Sequence, residues 1–474
     1  MAKYTPTTPT IQVLSKQNYE DQHLVALPNA LPLPPLTPHS LRICTIILSL
    51  TTNNFTYARC GHLLGWWDVH PLPPSIPAEF ANPQDYGRVS AWGYGVVVES
   101  TVPKGLGIEV GTHVYGYLPI GTLPVDMHVE ISADANGQFV EISPQREKLM
   151  PVYNRYLFYS SETTAQQKAE RKQSEGYDSL LQVLFEAGYM MNRFVFAWDS
   201  SELVHPSGAD SGWTTEDARI GEDTILLLFA ASGKTALAFA HQLKYGRPAG
   251  KSSRKVVGVG SDAPRAFTEG TGLYNSVLTY DADDDHDIGV EVGADADSKV
   301  VVVDFGARGG AADRWAEKLR KSSKSVTLLG VGGEVAAESQ EVTTQKMVKR
   351  MAAGRMQVNT SGMRSQAVGI LGHKTYFEGL LTEWRTYRER GVPKGLQLVW
   401  GKGMDDVGKG WERLYKGEVG PDEGLVFDFC QVDAFWRFRG PLACVGHSLV
   451  KYLIIYTLSV LIDKRCVWLG GGLA

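Results

Sequence analysis

Residues 232–235, Ser-Gly-Lys-Thr, are of types that bind phosphate at the start of a helix. The same four letters end the phosphate loop of nucleotide hydrolases, which also requires a glycine five positions before Gly233. Leu228 occupies that position, and the turn is too short to wrap a β-phosphate. Residues 230–233 are instead typical of the tight turn with which a dinucleotide fold points a helix N-terminus at a pyrophosphate. An ordinary strand-to-helix turn with a surface lysine remains the alternative.

A second polar group follows the next strand-like run, KVVGVGS, where an NAD site carries an acidic residue for the ribose diol. Ser261 and Arg265 lie here, and a hydroxyl and a cation suit a ribose 2′-phosphate, although Asp262 lies between them. The sequence therefore predicts NADP(H) as the cofactor, with NADPH preferred to NADH. The predicted cofactor-binding residues are Ser232, Gly233, Lys234, Thr235, Ser261 and Arg265. We expect the N–H groups of residues 232–234 to meet the pyrophosphate and the Lys234 ammonium to add a contact.

The elements around these residues alternate between buried strands and amphipathic helices from residue 223 onward. The strand-like runs are DTILLLFA, KVVGVGS, SVLTYDA, KVVVVDFGARGG and SVTLLGVGG, and the helical ones include ASGKTALAFAHQLKYG and ADRWAEKLRK. Apolar strands that alternate with helices at this pace indicate a parallel sheet covered on both faces. The predicted fold class is α/β, with a doubly wound (Rossmann) sheet.

The N-terminal part has a different pattern. WGYGVVVES and IEVGTHVYGYLPIG alternate short β-rich runs with glycine turns, so residues 1 to about 130 are predicted to be mainly β. The run LLQVLFEAGYMMNRFVF looks helical, but the sequence does not fix its place in the fold. The predicted domains are a β-rich substrate and catalytic domain with an insertion (1–215), a dinucleotide-binding domain (216–365), a return segment (366–430) and a C-terminal appendage (431–474).

Composition limits the partners. The chain has 474 residues, 43% of them hydrophobic, and a net charge of -5, which provides no basic field for nucleic acid. The five cysteines are scattered and favour a reducing compartment. The N-terminus lacks the pattern of a signal or transit peptide, which predicts a cytoplasmic protein. We expect a small-molecule substrate as the partner, and a homodimer stays open.

The order of a β domain, a doubly wound domain and a return segment resembles the medium-chain dehydrogenase/reductase superfamily, especially its zinc-free quinone and enoyl reductases. TTNNFTYARCG, WGYGVVVES, VGTHVYGY, LLLFAASGKTALAFAHQL and SVTLLGVGG carry this resemblance. With YGRVSAWGYGVVVES, VYNRY and LYNSVLTYD, the chain is also similar, over about residues 8–428, to a largely fungal and bacterial family of unknown function. The resemblance implies a GroES-like N-terminal domain and a reductase fold, without an assigned reaction.

The C-terminal end lies beyond this resemblance. LVKYLIIYTLSVLI, residues 449–462, contains Lys451 and is shorter than the roughly 20 apolar residues that a membrane-spanning helix needs. The sequence therefore argues against a membrane anchor. We expect residues 431–474 to form a peripheral or poorly ordered appendage, so that truncation after Phe429 should preserve soluble expression and cofactor binding.

The resemblance also bears on metal. Zinc-dependent relatives carry a cysteine ligand, at a position matched by Cys60, and a histidine in a Gly-His-Glu triplet. The corresponding triplet here is Gly93-Tyr94-Gly95, which removes a ligand from a site that needs about three. The sequence therefore predicts no catalytic metal, which elemental analysis of chelator-free protein would test. An unrelated cluster of Cys60, His62, Asp68 and His70 remains the alternative.

A zinc-free reductase must polarise the substrate carbonyl with hydrogen-bond donors. Asn53, Asn54 and Tyr57 lie in the segment that matches the cleft-lining loop of zinc-free relatives, and Tyr57 is the predicted acid. A structural turn with a packed tyrosine is the competing interpretation. Tyr153, Asn154 and Arg155 form a second polar and aromatic group.

Two functions follow from these residues. The first is a zinc-independent, NADP(H)-dependent oxidoreductase that reduces a conjugated carbonyl by hydride transfer. The second is a Rossmann-fold protein without redox chemistry, either a lyase or isomerase or a nucleotide-binding module.

Overall fold

The computed structural model describes residues 8–132, 137–159, 165–283, 287–334, 354–391 and 393–429, with isolated positions between 342 and 349. The predicted appendage, residues 431–474, lies outside the described residues.

The N-terminal part is rich in strands, as the sequence predicts. In chain order it comprises β1 (Thr10–Ser15), β2 (Gln22–Ala26), β3 (Ser40–Leu50), α1 (Asn53–Arg59), α2 (Gly61–Leu64), β4 (Tyr86–Gly87), β5 (Ser90–Ser100), β6 (His113–Pro119), β7 (Val125–Ile131), β8 (Gln138–Glu141) and β9 (Arg155–Tyr159). Strand β1 pairs with β2 and β4 in a small sheet.

The middle of the chain alternates strands and helices. It comprises α3 (Ala165–Met190), α4 (Thr215–Ala218), β10 (Thr224–Phe229), α5 (Lys234–Tyr245), β11 (Lys255–Gly260), α6 (Arg265–Gly270), β12 (Ser276–Thr279), α7 (Ile288–Val292), β13 (Lys299–Asp304), α8 (Ala311–Leu319), β14 (Ser325–Gly330) and β15 (Met356–Gln357). The described residues after β15 form α9 (Thr360–Leu371), α10 (His373–Glu389), β16 (Gln397–Lys402), α11 (Gly403–Tyr415) and β17 (Glu423–Asp428).

The larger sheet of the N-terminal part closes on itself and also takes in β16 and β17. Its order is β16-β17-β3-β5-β6-β9-β8-β7, and β7 pairs again with β3. Strands β3, β5, β6, β9, β8 and β7 therefore form a closed barrel, which leaves none of these strands as a free edge. Strand β17 pairs antiparallel with the second half of β3, so that residues near 425 return to the N-terminal part.

The second sheet is wholly parallel, in the order β12-β11-β10-β13-β14-β15. Counted along the chain this is the order 3-2-1-4-5-6 of a doubly wound dinucleotide-binding fold. The predicted fold class is thereby confirmed. Strands β10 and β13 are buried along their whole length, which explains their uninterrupted apolar sequences. Trp315 of α8 is fully buried beneath β10, with its ring 5.2 Å from that of Phe229.

Helix α3 links the two sheets. One side packs on β3, where the Ser49 hydroxyl donates to the carbonyl of Ser179 at 2.6 Å. Another side packs on α5 so closely that a Cβ at Gly188 would lie 2.8 Å from the backbone N of Phe239. Only glycine permits this approach, so α3 fixes the helix that begins at the predicted phosphate turn. The helix contains most of the run LLQVLFEAGYMMNRFVF, whose place in the fold the sequence does not fix.

None of the helices that the structure describes combines the length and apolarity that crossing a bilayer requires. The run 449–462 lies outside the described residues. The domain boundaries expected from the sequence stay a prediction.

Candidate functional site

The turn between β10 and α5 presents unsatisfied backbone donors. Ala230 adopts a left-handed φ of 55°, which bends the chain sharply out of the strand. The N–H of Gly233 donates to the carbonyl of Ala230 at 2.8 Å, and Gly233 caps the helix that begins at Lys234. Among the described residues no acceptor is assigned to the N–H groups of residues 232 and 234–236. These donors and the positive end of the helix dipole suit a bound anion.

Neighbouring side chains hold this turn in place. The Tyr274 hydroxyl donates to the carbonyl of Ala231 at 2.7 Å. Gly258 lies beside the turn, and a Cβ there would lie 3.0 Å from the Cβ of Ala231. The turn is therefore ordered before any ligand binds, and its N–H groups keep a fixed direction.

The predicted 2′-phosphate residues follow the neighbouring strand, β11. Ser261 follows β11, which is paired in parallel with β10, so both strands end at the same edge of the sheet. Arg265 is the first residue of α6, and its Nε donates to Glu269 at 3.0 Å. Its side chain remains 47% exposed, so the guanidinium is accessible from solvent. The fold thus brings Ser261, Arg265 and the turn to one edge, as a dinucleotide requires.

Two details of the predicted phosphate site need correction. The N–H of Gly233 is already bonded within the turn, so the free donors are those of Ser232 and of residues 234–236. The Lys234 ammonium does not remain at the turn, because it donates to the carbonyl of Glu423, in β17, at 2.9 Å. Its side chain therefore ties α5 to the larger sheet, and Lys234 contributes its N–H rather than its charge.

Lys234 is expected to make stability increase with pH. Burial lowers its pKa from the usual 10.5 to about 8, although the carboxylates of Glu423 and Asp422 oppose this shift. Between these values the unfolded chain binds more protons than the folded chain, so the free energy of unfolding rises as pH rises. Replacing Lys234 by methionine should remove a rise of about 2–3 kcal/mol between about pH 7 and pH 10, measured by urea unfolding. The same change at Lys321, which is exposed, is the control; equal pH slopes in the two variants would contradict this account.

Tyr57 lies in a buried aromatic cluster on the other side of the site. The segment predicted as a loop forms helix α1, and Tyr57 on it is 3% exposed. The Trp92 Nε1 donates to the Tyr57 hydroxyl at 3.1 Å, and the Tyr57 and Tyr153 rings lie 5.8 Å apart. Burial raises the pKa of Tyr57 to about 12, against hydrogen bonds with Trp92, Tyr153 and Asn53 that lower it. Tyr57 is therefore protonated at neutral pH and is a hydrogen-bond donor rather than a base.

The two asparagines have different environments. Asn53 contacts Tyr57 and is partly exposed. Asn54 is 2% exposed; its Oδ1 accepts from the N–H of Thr51 at 2.8 Å and its Nδ2 donates to the carbonyl of Ser90 at 3.0 Å. These bonds hold α1 against β5, so the amide of Asn54 is structural, contrary to the predicted role as a substrate donor.

Sequence reasoning missed the contact that joins α1 to the parallel sheet. The Arg59 Nη1 donates to the carbonyl of Glu334, in the loop after β14, at 2.8 Å. A Cβ at Gly333 would lie 2.9 Å from the Arg59 guanidinium. The two partners are 275 residues apart, so no local pattern predicts the bond. The glycines in VGG after a buried strand indicate only that another group can approach the backbone there. This contact places the helix that carries Tyr57 beside the carboxyl edge of the sheet.

The alternative metal site predicted from the sequence consists of Cys60, His62, Asp68 and His70. Among the described residues no three metal-ligating side chains come together. His70 lies 3.4 Å from the Arg146 Nη2, and burial together with Arg146 and Arg88 lowers its pKa well below the usual value. The Tyr94 hydroxyl, at the position of the missing histidine, donates to Asp178 at 3.0 Å.

Comparison with known proteins gives one family. A search of the curated proteins finds no match. The matching solved structures include CurA in complex with NADPH from Vibrio vulnificus, with 12% identity, 88% of this chain and 98% of that chain covered, and a TM-score of 0.48. A putative NADPH:quinone reductase from Bacillus thuringiensis has 12% identity, 89% and 99% coverage, and a TM-score of 0.49. Because these identities and TM-scores are low, we assign the fold from the order and register of the strands.

The family model described as "Protein of unknown function (DUF2855)" matches residues 48–420, within the span of 8–428 expected from the sequence. The match covers most of the chain, including α1, the turn after β10 and β16, and ends just before β17. The chain therefore belongs to the DUF2855 family.

Proposed function

We propose that this protein is a zinc-independent, NADP(H)-dependent oxidoreductase that reduces a conjugated carbonyl. The observation that carries the proposal is the row of open N–H groups at the start of α5, at the edge of the sheet where Ser261 follows β11 and Arg265 begins α6. The pyrophosphate would meet these N–H groups, and the 2′-phosphate would meet the hydroxyl and the guanidinium. Bound NADPH would supply the hydride.

The chain's own residues would handle the carbonyl oxygen. The Tyr57 hydroxyl oxygen accepts from Trp92, and its proton would be donated to the substrate carbonyl in place of its contact with Asn53 or Tyr153. A donor held in a buried aromatic pocket stabilises the negative charge that develops on a carbonyl oxygen more strongly than water does. Asn53, which is partly exposed and contacts Tyr57, would orient this hydroxyl.

Tyr57→Phe is expected to lower kcat for NADPH-dependent reduction of an enone about tenfold, the value of one lost hydrogen bond. NADPH affinity should not change, because Tyr57 does not contact the phosphate turn. Stopped-flow loss of NADPH absorbance measures the rate, and Tyr415→Phe on α11 is the matched control. An unchanged rate in Tyr57→Phe would assign Tyr57 a purely structural role.

Arg265→Ala is expected to weaken NADPH binding about tenfold and leave NADH binding unchanged, which corresponds to about 1.4 kcal/mol. The expected loss is modest because the guanidinium is exposed and already paired with Glu269. Fluorescence titration of wild type and variant with both nucleotides measures the difference. Equal losses for the two nucleotides would place the 2′-phosphate elsewhere.

The burial of Tyr57 favours a second candidate, a nucleotide-binding protein without redox chemistry. At 3% exposure the tyrosine packs edge-on against Trp66 and Tyr117, as a structural aromatic does. This candidate predicts NADPH binding without turnover of quinones, enones or enoyl thioesters. Measured hydride transfer to any of these substrates would exclude it.

A further inference from the structure

A cavity of about 720 Å³ lies between residues 140–155 and the helices α9 and α10. Its lining includes neither Tyr57, the turn after β10, Ser261 nor Arg265. It is therefore a different place from the site described above. Its volume is within the range of roughly 300–1,000 Å³ that small-molecule sites occupy.

Much of the cavity wall is aliphatic. Val140, Ile142, Leu149, Val152 and Val368 line it, together with Pro144 and Pro151. Covering this wall with the apolar body of a ligand lowers the free energy, because apolar surface is removed from water. A small inorganic ion would leave the wall in contact with water.

Two of the three arginines in the lining form ion pairs, and the third, Arg155, forms none among the described residues. Arg146 lies 3.4 Å from the carboxylate of Glu141, and both are almost fully buried. Arg364 forms a two-pronged pair with Glu186, with its Nε 2.6 Å from Oε1. Arg155 has no ion pair among the described residues, and its Nη1 donates to the neutral side chain of Gln138 at 3.0 Å.

Arg155 is also held in position beside another cation. Its guanidinium lies over the Phe377 ring at 5.4 Å, and Arg364 lies over the same ring at 5.8 Å. Burial and, next, the charge of Arg364 lower the pKa of Arg155, and the carboxylate of Glu186 opposes them only in part. An anion at Arg155 would offset both effects.

Further donors are available in the same lining. The Ser361 hydroxyl accepts from the N–H of Val152 at 3.3 Å, which leaves its own proton free to donate. The Nδ1 of His373 is buried without a hydrogen-bond partner among the described residues, and it donates in the tautomer that carries the proton on this atom. The acid Glu147, which also lines the cavity, is exposed to solvent and forms no ion pair with Arg155.

We propose that this cavity binds a small organic carboxylate, with the carboxylate at Arg155 and the apolar body against the aliphatic wall. The planar guanidinium matches a carboxylate with two parallel hydrogen bonds. The proposal does not depend on the function proposed for the turn after β10.

Octanoate is the probe, and isothermal titration calorimetry of the full chain is the measurement. We expect octanoate to bind at least tenfold more tightly than octan-1-ol, which has the same apolar body without the charge. Inorganic phosphate, an anion without an apolar body, should bind at least tenfold more weakly than octanoate. These comparisons use wild-type protein and need no variant to fold.

Arg155→Met, which keeps much of the packing on Phe377, should weaken octanoate at least tenfold, and Arg155→Lys should weaken it less. Arg385→Met removes an exposed cation from α10 and should leave octanoate binding unchanged. The proposal is wrong if wild type does not bind octanoate, if octan-1-ol or phosphate binds as tightly, or if Arg155→Met binds octanoate as wild type does.

Discussion

Ser232→Asp is expected to weaken NADPH binding about hundredfold, or about 2.7 kcal/mol, while leaving the fold intact. The new carboxylate would lie among the open N–H groups at the start of α5, where the pyrophosphate is expected. It would repel the pyrophosphate and compete for the same donors. A negative charge near a helix N-terminus is favourable, so the free energy of unfolding should stay equal or rise slightly.

The measurement is fluorescence titration with NADPH, combined with urea unfolding of the same samples. Ser252→Asp, in an exposed loop before β11, changes the net charge equally and is the matched control. Lost binding with preserved stability separates a ligand contact from a folding defect. NADPH affinity equal to that of wild type in Ser232→Asp would show that the turn does not bind the pyrophosphate.

Gly93→Ala is expected to destabilise the fold by at least about 3 kcal/mol. Gly93 is opposite Leu48 in the pairing of β5 with β3. A Cβ there would lie 2.1 Å from the carbonyl oxygen of Ile47, which is backbone and cannot move without breaking the pairing. The pairing of β5 with β3 therefore requires glycine at position 93.

Urea unfolding measures this loss. Gly369→Ala on α9 is the control, because a Cβ there meets no atom within 4 Å and alanine favours a helix by roughly 0.5–1 kcal/mol over glycine. We expect Gly369→Ala to be neutral or stabilising. A loss below about 1 kcal/mol in Gly93→Ala would show that β3 and β5 can separate at this point at little cost.

The parallel sheet could be predicted because its strands are buried on both faces. TILLLF and KVVVVD are apolar without interruption, and the helical runs between them have the period of a helix. The turn of small residues at 230–233 could be predicted for the same reason, because the change of period marks where the strand ends.

Other features depend on contacts that are distant in the chain. The destination of the Lys234 ammonium is 189 residues away, on the carbonyl of Glu423, and no local pattern indicates it. The acceptor of the Asn54 amide is the carbonyl of Ser90. Every residue has such a carbonyl, so the sequence does not show this bond, and Asn54 was predicted to be a substrate donor. Helix α1 was predicted as a loop because its N-cap, Thr52, forms no side-chain capping bond that would make its start recognisable.

Whether NADP(H) binds at the start of α5 would be seen in a crystal structure of the protein with NADP. We expect pyrophosphate oxygens within about 3 Å of the N–H groups of Ser232 and residues 234–236, and the 2′-phosphate beside Ser261 and Arg265. A nucleotide bound elsewhere, or no bound nucleotide at millimolar NADP, would contradict this expectation.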